Sequence, residues 1–135
     1  MKIFDGNGRI NFVDDNNVFV GFCDEQNCCE YFGYLFVRNL SEMIKGDETV
    51  GKIELSEDEL KDFDFDVNFF KREGSFKENP NGSQYDNENG EYIAFRLVNK
   101  LNEEIYLILY NYHNGYYSHG FEMRDNEILV LEGSI

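Results

Sequence analysis

A chain of 135 residues with 41% hydrophobic side chains is long enough for one domain with a buried core and too hydrophobic for a disordered protein. The net charge of −15 disfavours direct binding to nucleic acids or anionic membranes, which are polyanions, and favours a basic partner protein. Phe and Tyr supply an aromatic share of 16%, and with a single Pro this composition favours β-sheet.

The N-terminal half of the chain predicts short strands separated by polar turns. Arg9–Val13 and Val18–Cys23 flank residues 14–17, an Asp-Asp-Asn-Asn cluster typical of a hairpin turn. Residues 28–37 predict an aromatic strand with a bend or bulge at Gly33. The first residues contain no apolar run of signal-peptide length, so we expect a cytoplasmic protein without a membrane span.

The middle of the chain predicts one or two short helices. Asn39 or Ser41 could cap a helix that ends near Lys45, and residues 49–55 predict a strand. Ser56 is followed three residues later by Glu59, the spacing of a capping box at the start of a helix over residues 56–62.

The rest of the chain predicts a long flexible loop followed by strands. Residues 72–90 are rich in Gly, Asn and Glu and contain the Pro, which is typical of a loop. The remaining strands, expected to form an antiparallel meander, cover residues 92–99, 104–112, 116–123 and 128–131. The predicted fold class is therefore α+β, mostly β, with residues 1–135 in a single domain built on an antiparallel meander sheet.

Asn114-Gly115 predicts a two-residue turn between the strands of a hairpin over residues 104–123. This register would place a set of aromatic and histidine side chains on one face, namely Tyr110, Tyr112, Tyr117 and His119. Such a face could stack a nucleobase or another flat ligand, although core packing or a subunit interface is the commoner use. His113 would lie on the opposite face, which argues against a metal site shared by the two histidines.

Cys23, Cys28 and Cys29 do not have the spacing of a zinc site. Adjacent cysteines in a strand point to opposite faces, which leaves too few ligands for tetrahedral coordination. We expect reduced, buried thiols, no metal and no cofactor. A nucleophilic pair of Cys28 with His113 or His119 is conceivable, but no local signature supports an enzyme.

Carboxylates are concentrated in the middle of the chain. We name six of them the acidic ridge: Glu57, Asp58, Glu59, Asp62, Asp64 and Asp66. In residues 62–66, where Asp alternates with Phe, an extended chain would place three carboxylates on one side. A calcium-binding loop is not indicated, because the required Gly and distal Glu are absent from their positions. The common alternative is a solvated face; the sharper hypothesis is a ridge that imitates nucleic-acid phosphates and binds a basic groove.

Two stretches of the sequence resemble a known family. The first combines the Cys-Cys element of residues 27–32 with residues 50–55, and the second is the Asn-Gly-Tyr-Tyr hairpin of residues 110–117. Together they resemble the phage- and prophage-borne domain of unknown function numbered 7448. The resemblance implies a mobile-element origin and no known activity. Small acidic phage proteins are often similar to inhibitors of host defence, including anti-CRISPR proteins that act as nucleic-acid mimics.

The preferred functional hypothesis is a non-enzymatic interaction protein that inhibits a basic, nucleic-acid-binding host defence protein in the host cytoplasm. We expect this interaction protein to be a monomer or a homodimer. One alternative is a protein that sequesters a nucleotide signal on the aromatic hairpin face. The other is a Cys- and His-dependent enzyme.

Overall fold

The computed structural model describes residues 1–25, 31–40, 52–74, 89–113 and 119–135. Within these ranges the chain forms strands and one short helix, and the fold is α+β, mostly β, in a single domain, as predicted. In chain order the elements are β1 (Lys2–Gly6), β2 (Arg9–Val13), β3 (Val18–Cys23), β4 (Tyr31–Val37), β5 (Lys52–Ile53), α1 (Glu57–Leu60), β6 (Asp64–Phe65), β7 (Lys71–Gly74), β8 (Asn89–Val98), β9 (Glu104–His113), β10 (Gly120–Asp125) and β11 (Ile128–Ser134). No helix in these ranges is long and apolar enough to span a membrane.

The described strands form two antiparallel sheets. The first has the order β1-β2-β3-β10-β11, and the second has the order β5-β4-β9-β8-β6, with β7 also paired to β8. The two sheets share one apolar core, to which the first contributes Phe12, Val20 and Phe22 and the second Phe95, Leu107 and Leu109, all fully buried. The architecture is therefore a two-layer sandwich.

The second sheet is apolar on both faces. Residues 105–110 of β9 are a continuous run of aliphatic and Tyr side chains, as expected for a strand covered on both sides. Ile105, Leu107 and Leu109 belong to the core between the sheets, whereas Ile108 and Tyr110 belong to a second buried cluster. The strand order also places β9 in the middle of its sheet.

The predicted hairpin over residues 104–123 is wrong. Strand β9 is paired with β8 along its whole length and with β4 over residues 106–112, and β10 lies in the first sheet between β3 and β11. Tyr110 is consequently paired with Gly33 on one side and Tyr92 on the other, and it is not paired with His119. The Asn114-Gly115 turn lies outside the described residues. The C-terminal strands form two separate hairpins, β8–β9 and β10–β11, instead of one continuous meander.

The pairing of β4 with β9 also corrects the expectation at Gly33. The register runs without a shift from Tyr31 to Val37, so no bulge occurs. A Cβ at Gly33 would lie 2.9 Å from the hydroxyl oxygen of Tyr110, so a larger residue there would require the Tyr110 side chain to shift.

Other boundaries differ from the predicted ones. Strands β2 and β3 have the predicted limits, but β1 was not predicted, although Asn7-Gly8 is a strong hairpin signal. The predicted loop over residues 72–90 is too long at both ends, because residues 72–74 belong to β7 and residues 89–90 to β8. The rest of that loop, the predicted helix ending near Lys45 and the first part of the strand predicted over residues 49–55 lie outside the described residues.

Candidate partner-binding surface

The first part of the acidic ridge is built on the single turn of α1. Ser56 is the N-cap: its hydroxyl oxygen accepts a hydrogen bond from the Glu59 backbone N–H at 3.2 Å. The Glu59 carboxylate accepts in return from the Ser56 backbone N–H at 3.4 Å, which completes the predicted capping box. The helix ends at Leu60, whose side chain is buried, earlier than predicted. Glu57 and Asp58 thus project from a fixed turn into solvent.

Asp62 and Asp66 each have a basic neighbour. Lys100 lies 3.8 Å from the Asp62 carboxylate, and Arg96 lies 3.4 Å from that of Asp66. Asp66 also accepts a hydrogen bond from the backbone N–H of Asn68 at 3.0 Å. Strand β6 covers only Asp64 and Phe65, so the regular extended segment is shorter than the one expected over residues 62–66. Phe63 and Phe65 are nevertheless buried, as the alternation predicted.

Asp14 is a buried carboxylate that sequence reasoning treated only as part of a turn. One of its oxygens accepts hydrogen bonds from the backbone N–H groups of Asn16 and Val18, at 2.9 and 2.8 Å. The other accepts from the backbone N–H of Phe65 at 2.8 Å. Asp14 therefore joins the β2–β3 turn of the first sheet to strand β6 of the second. No local signal could have revealed the contact with Phe65, because 51 residues separate the two.

Asp64 sits next to this junction in an unfavourable electrostatic environment. Burial raises the pKa of Asp64 above its ordinary value of 3.8, and the negative charges of Asp14 and Asp15 raise it further. The Met1 amino group and a hydrogen bond from the Asp15 backbone oppose this rise without cancelling it. The ridge is thus continuous with the acids of the β2–β3 turn, where like charges are held together.

The aromatic ligand face predicted from the hairpin is not assembled in the described part of the chain. Tyr110 lies in the buried cluster on the outer face of the second sheet. His119 is fully buried beside β10: its ring stacks on Phe32 at 4.0 Å, and its Nδ1 lies 2.7 Å from the Cys23 carbonyl oxygen. The side chain of Tyr112 and all of Tyr117 lie outside the description.

Only one of the three cysteines lies in the described residues. Cys23 is a half-buried free thiol, and Cys28 and Cys29 lie outside the described residues. Within residues 1–25, 31–40, 52–74, 89–113 and 119–135, no three His, Cys, Asp or Glu side chains come together in a group that could hold a metal ion.

The fold defines a small antiparallel sandwich protein in which the six acids named above lie on and beside α1 and β6. Residues 1–123 match the model of a family described as a domain of unknown function, DUF7448, and the chain belongs to that family. The family expected from the sequence is thereby confirmed. No curated protein and no solved structure is significantly similar to the chain.

Proposed function

We propose that this protein is a non-enzymatic interaction protein whose acidic ridge binds a basic surface of a partner protein. The observation that supports the proposal most is the environment of Asp64, where burial and the charges of Asp14 and Asp15 disfavour the ionised form. Groups with perturbed pKa values cluster at functional sites, which supports a role for the surface around Asp64.

The partner in this proposal is a nucleic-acid-binding protein of the host cytoplasm, and the ridge carboxylates occupy the groove that accepts phosphates. The net charge of −15 supports attraction to such a groove over a long range. Small acidic proteins of mobile elements offer an analogy for the biological role, the inhibition of a host defence protein, and this last step rests on that analogy.

A ridge variant and a matched control test the proposal. The ridge variant is Glu57→Gln, Asp58→Asn and Asp62→Asn, three exposed acids whose carboxylates accept no backbone hydrogen bond in the described contacts. The control, Asp24→Asn, Glu25→Gln and Glu132→Gln, removes the same charge. Asp24 and Glu25 follow β3, whose six residues separate them from the β2–β3 turn by about 20 Å. Glu103 and Glu104 would be poor controls, because they lie near basic residues that contact the ridge. Arg96 contacts both Glu104 and Asp66, and Lys100, three residues before Glu103, contacts Asp62.

The experiment is affinity capture from a nuclease-treated bacterial lysate at about 0.05 and 0.5 M salt, which brackets strong and weak charge screening. We expect the wild-type protein and the control variant to capture the same basic protein at low salt, and the ridge variant to lose it. Added DNA or RNA should displace the captured protein from the wild type. The nucleic-acid mimicry is refuted if nucleic acid and this protein bind the partner together. The ridge is refuted if both variants behave alike.

A further inference from the structure

A cleft opens beside the acidic ridge, between the edge of the first sheet and α1. Its volume is about 840 Å³, within the size range of ligand sites. Strand β1 forms one wall, and Tyr34 of the second sheet and α1 contribute to the others. Phe4 and Tyr34, two of the exposed large hydrophobic side chains in the described residues, both line it, with 50% and 36% of their surfaces exposed.

The lining of the cleft combines apolar surface with carboxylates. Its apolar and aromatic members are Met1, Ile3, Phe4, Ile10, Tyr34 and Leu60. Its acids are Asp5, Asp15 and Glu57, the last of which belongs to the acidic ridge. Of the two lysines present, Lys61 forms an ion pair with Asp58 at 3.2 Å. Asp15 is also one of the charges that raise the pKa of Asp64, so negative potential extends from the ridge into the cleft.

The position of the Tyr34 ring is set by the core. It packs edge-on against Phe12 of the first sheet, with ring centroids 5.1 Å apart, and against Phe36 at 6.1 Å. Tyr34 therefore presents a fixed aromatic ring to the cleft, whereas Phe4 alternates along β1 with Ile3, which packs against the core, so the Phe4 side chain lies on the other face of that strand. A rigid aromatic ring close to carboxylates is the arrangement that proteins use to recognise organic cations.

We propose that this cleft receives an arginine side chain of the partner, flanked by apolar residues; the inference rests on the proposed function and names the group that the partner inserts. A guanidinium can stack on an aromatic ring while its N–H groups donate to a carboxylate, which a lysine ammonium does less well. The apolar lining accommodates the arginine stem and the flanking side chains. The ridge attracts the partner, and the cleft anchors it.

The test uses a defined probe, a capped peptide with Leu-Arg-Leu at its centre, and two comparison peptides in which Lys replaces Arg or Gly replaces both Leu residues. Dissociation constants come from isothermal titration, and backbone amide NMR shifts locate the contact. The Arg peptide should bind about threefold or more tightly than either comparison peptide. Its shifts should map to β1 and α1.

Two cleft variants and one control decide the outcome. Tyr34→Leu removes the stacking ring and leaves an apolar side chain in contact with Phe12, so the fold should survive, and it should weaken binding of the Arg peptide about threefold. Asp5→Asn with Asp15→Asn should weaken it further, whereas Asp24→Asn with Glu25→Gln, an equal charge loss at the other end of β3, should change it little. Thermal melts confirm that each variant is folded.

Failure of this inference is distinguishable from failure of the proposed function. If the Arg and Lys peptides bind equally and Tyr34→Leu has no effect, the cleft does not recognise arginine. If Asp58→Asn with Asp62→Asn, the two ridge substitutions whose residues do not line the cleft, still loses the partner captured from the lysate, the proposed function stands without the cleft. If the cleft variants weaken the Arg peptide while the ridge variant captures the partner normally, the cleft is a binding site and the ridge is not.

Discussion

Asp14 shows how a single charged side chain can connect two sheets. Its carboxylate is buried, yet it accepts three backbone hydrogen bonds, and these replace the hydration that the charge loses on burial. Two of the three donors, the N–H groups of Val18 and Phe65, are themselves in buried surroundings. Removing the acceptor would leave both without a partner.

We therefore expect Asp14→Ala to lower the free energy of unfolding by about 2–4 kcal/mol, since each buried donor left unsatisfied costs about 1–3 kcal/mol. Urea denaturation followed by circular dichroism measures the change. Asp15→Ala, at the exposed neighbouring position, serves as the control and should change stability by less than about 0.5 kcal/mol. Equal effects of the two substitutions would show that the Asp14 hydrogen bonds do not hold the sheets together.

The contribution of Asp64 to folding stability should depend on pH in the opposite direction to that of a typical carboxylate in an ion pair. Its pKa is raised in the folded state, so folding favours the protonated form, and this contribution to stability is lost as pH rises from 3.8 through the folded-state value. Asp64→Asn cannot ionise. At pH 7 it should raise the melting temperature by about 1–2 °C, and the gain should shrink towards zero as pH falls through that window.

Thermal melts of wild type and Asp64→Asn across this pH range measure the effect. Asp58→Asn, whose side chain is 90% exposed, is the control and should show no comparable gain. A gain for Asp64→Asn that stays constant down to low pH would contradict the electrostatic account, because it would then be independent of ionisation.

Among the elements, two tight turns share the same backbone conformation. Asn7 and Gly8 between β1 and β2, and Asn126 and Glu127 between β10 and β11, all have positive φ. Positive φ at both central residues is what a type I′ hairpin turn requires. Asn and Gly adopt this conformation readily, but Glu127, at φ 74°, does so at a cost because of its Cβ.

Glu127→Gly should accordingly stabilise the protein by about 0.5–1 kcal/mol, because glycine adopts positive φ without steric strain. The hydrogen bond from Arg124 to the backbone carbonyl of residue 127 is retained in the variant. Urea denaturation tests the prediction, with Glu132→Gly in strand β11 as the control. Glycine within a strand lowers stability, so the two substitutions should have opposite signs, and a loss of stability in both would disprove the turn strain.

Elements defined by local signals could be predicted from the sequence, whereas their pairing could not. Alternation and polar turns gave the limits of β2 and β3, and the Ser56 to Glu59 spacing gave the capping box. The run in β9 indicates burial on both faces, but nothing local shows which strands cover its two edges. The Asn114-Gly115 dipeptide favoured a hairpin with the following strand, and the long-range pairing with β4 overrode it.

The same limit applies to the ridge and its surroundings. Its acids were visible as a dense run in the sequence, but their partners were not, because the contacts of Asp14 with Phe65 and of Arg96 with Asp66 span 51 and 30 residues. The cleft was equally hidden, since β1, Tyr34 and α1 come from three separate parts of the chain. The sequence shows where the acids are concentrated, but the cleft beside them can be identified only from the fold.

For the whole molecule, the central property is a large negative charge on a compact sandwich. Charge spread evenly over the surface would increase solubility and nothing more, whereas charge concentrated on the ridge would orient an approaching basic partner. The two cases differ in kinetics, because exposed charges act mainly on the association rate and are screened within about 8 Å at physiological ionic strength.

The most direct measurement is therefore the association rate constant for the captured partner as a function of salt, compared among wild type, ridge variant and control variant. At low salt we predict that the ridge variant associates about tenfold more slowly than wild type, that the control variant stays close to wild type, and that the difference disappears at high salt. Equal slowing of both variants would show that only net charge matters, and rates that do not change with salt would contradict the role of the acidic ridge altogether.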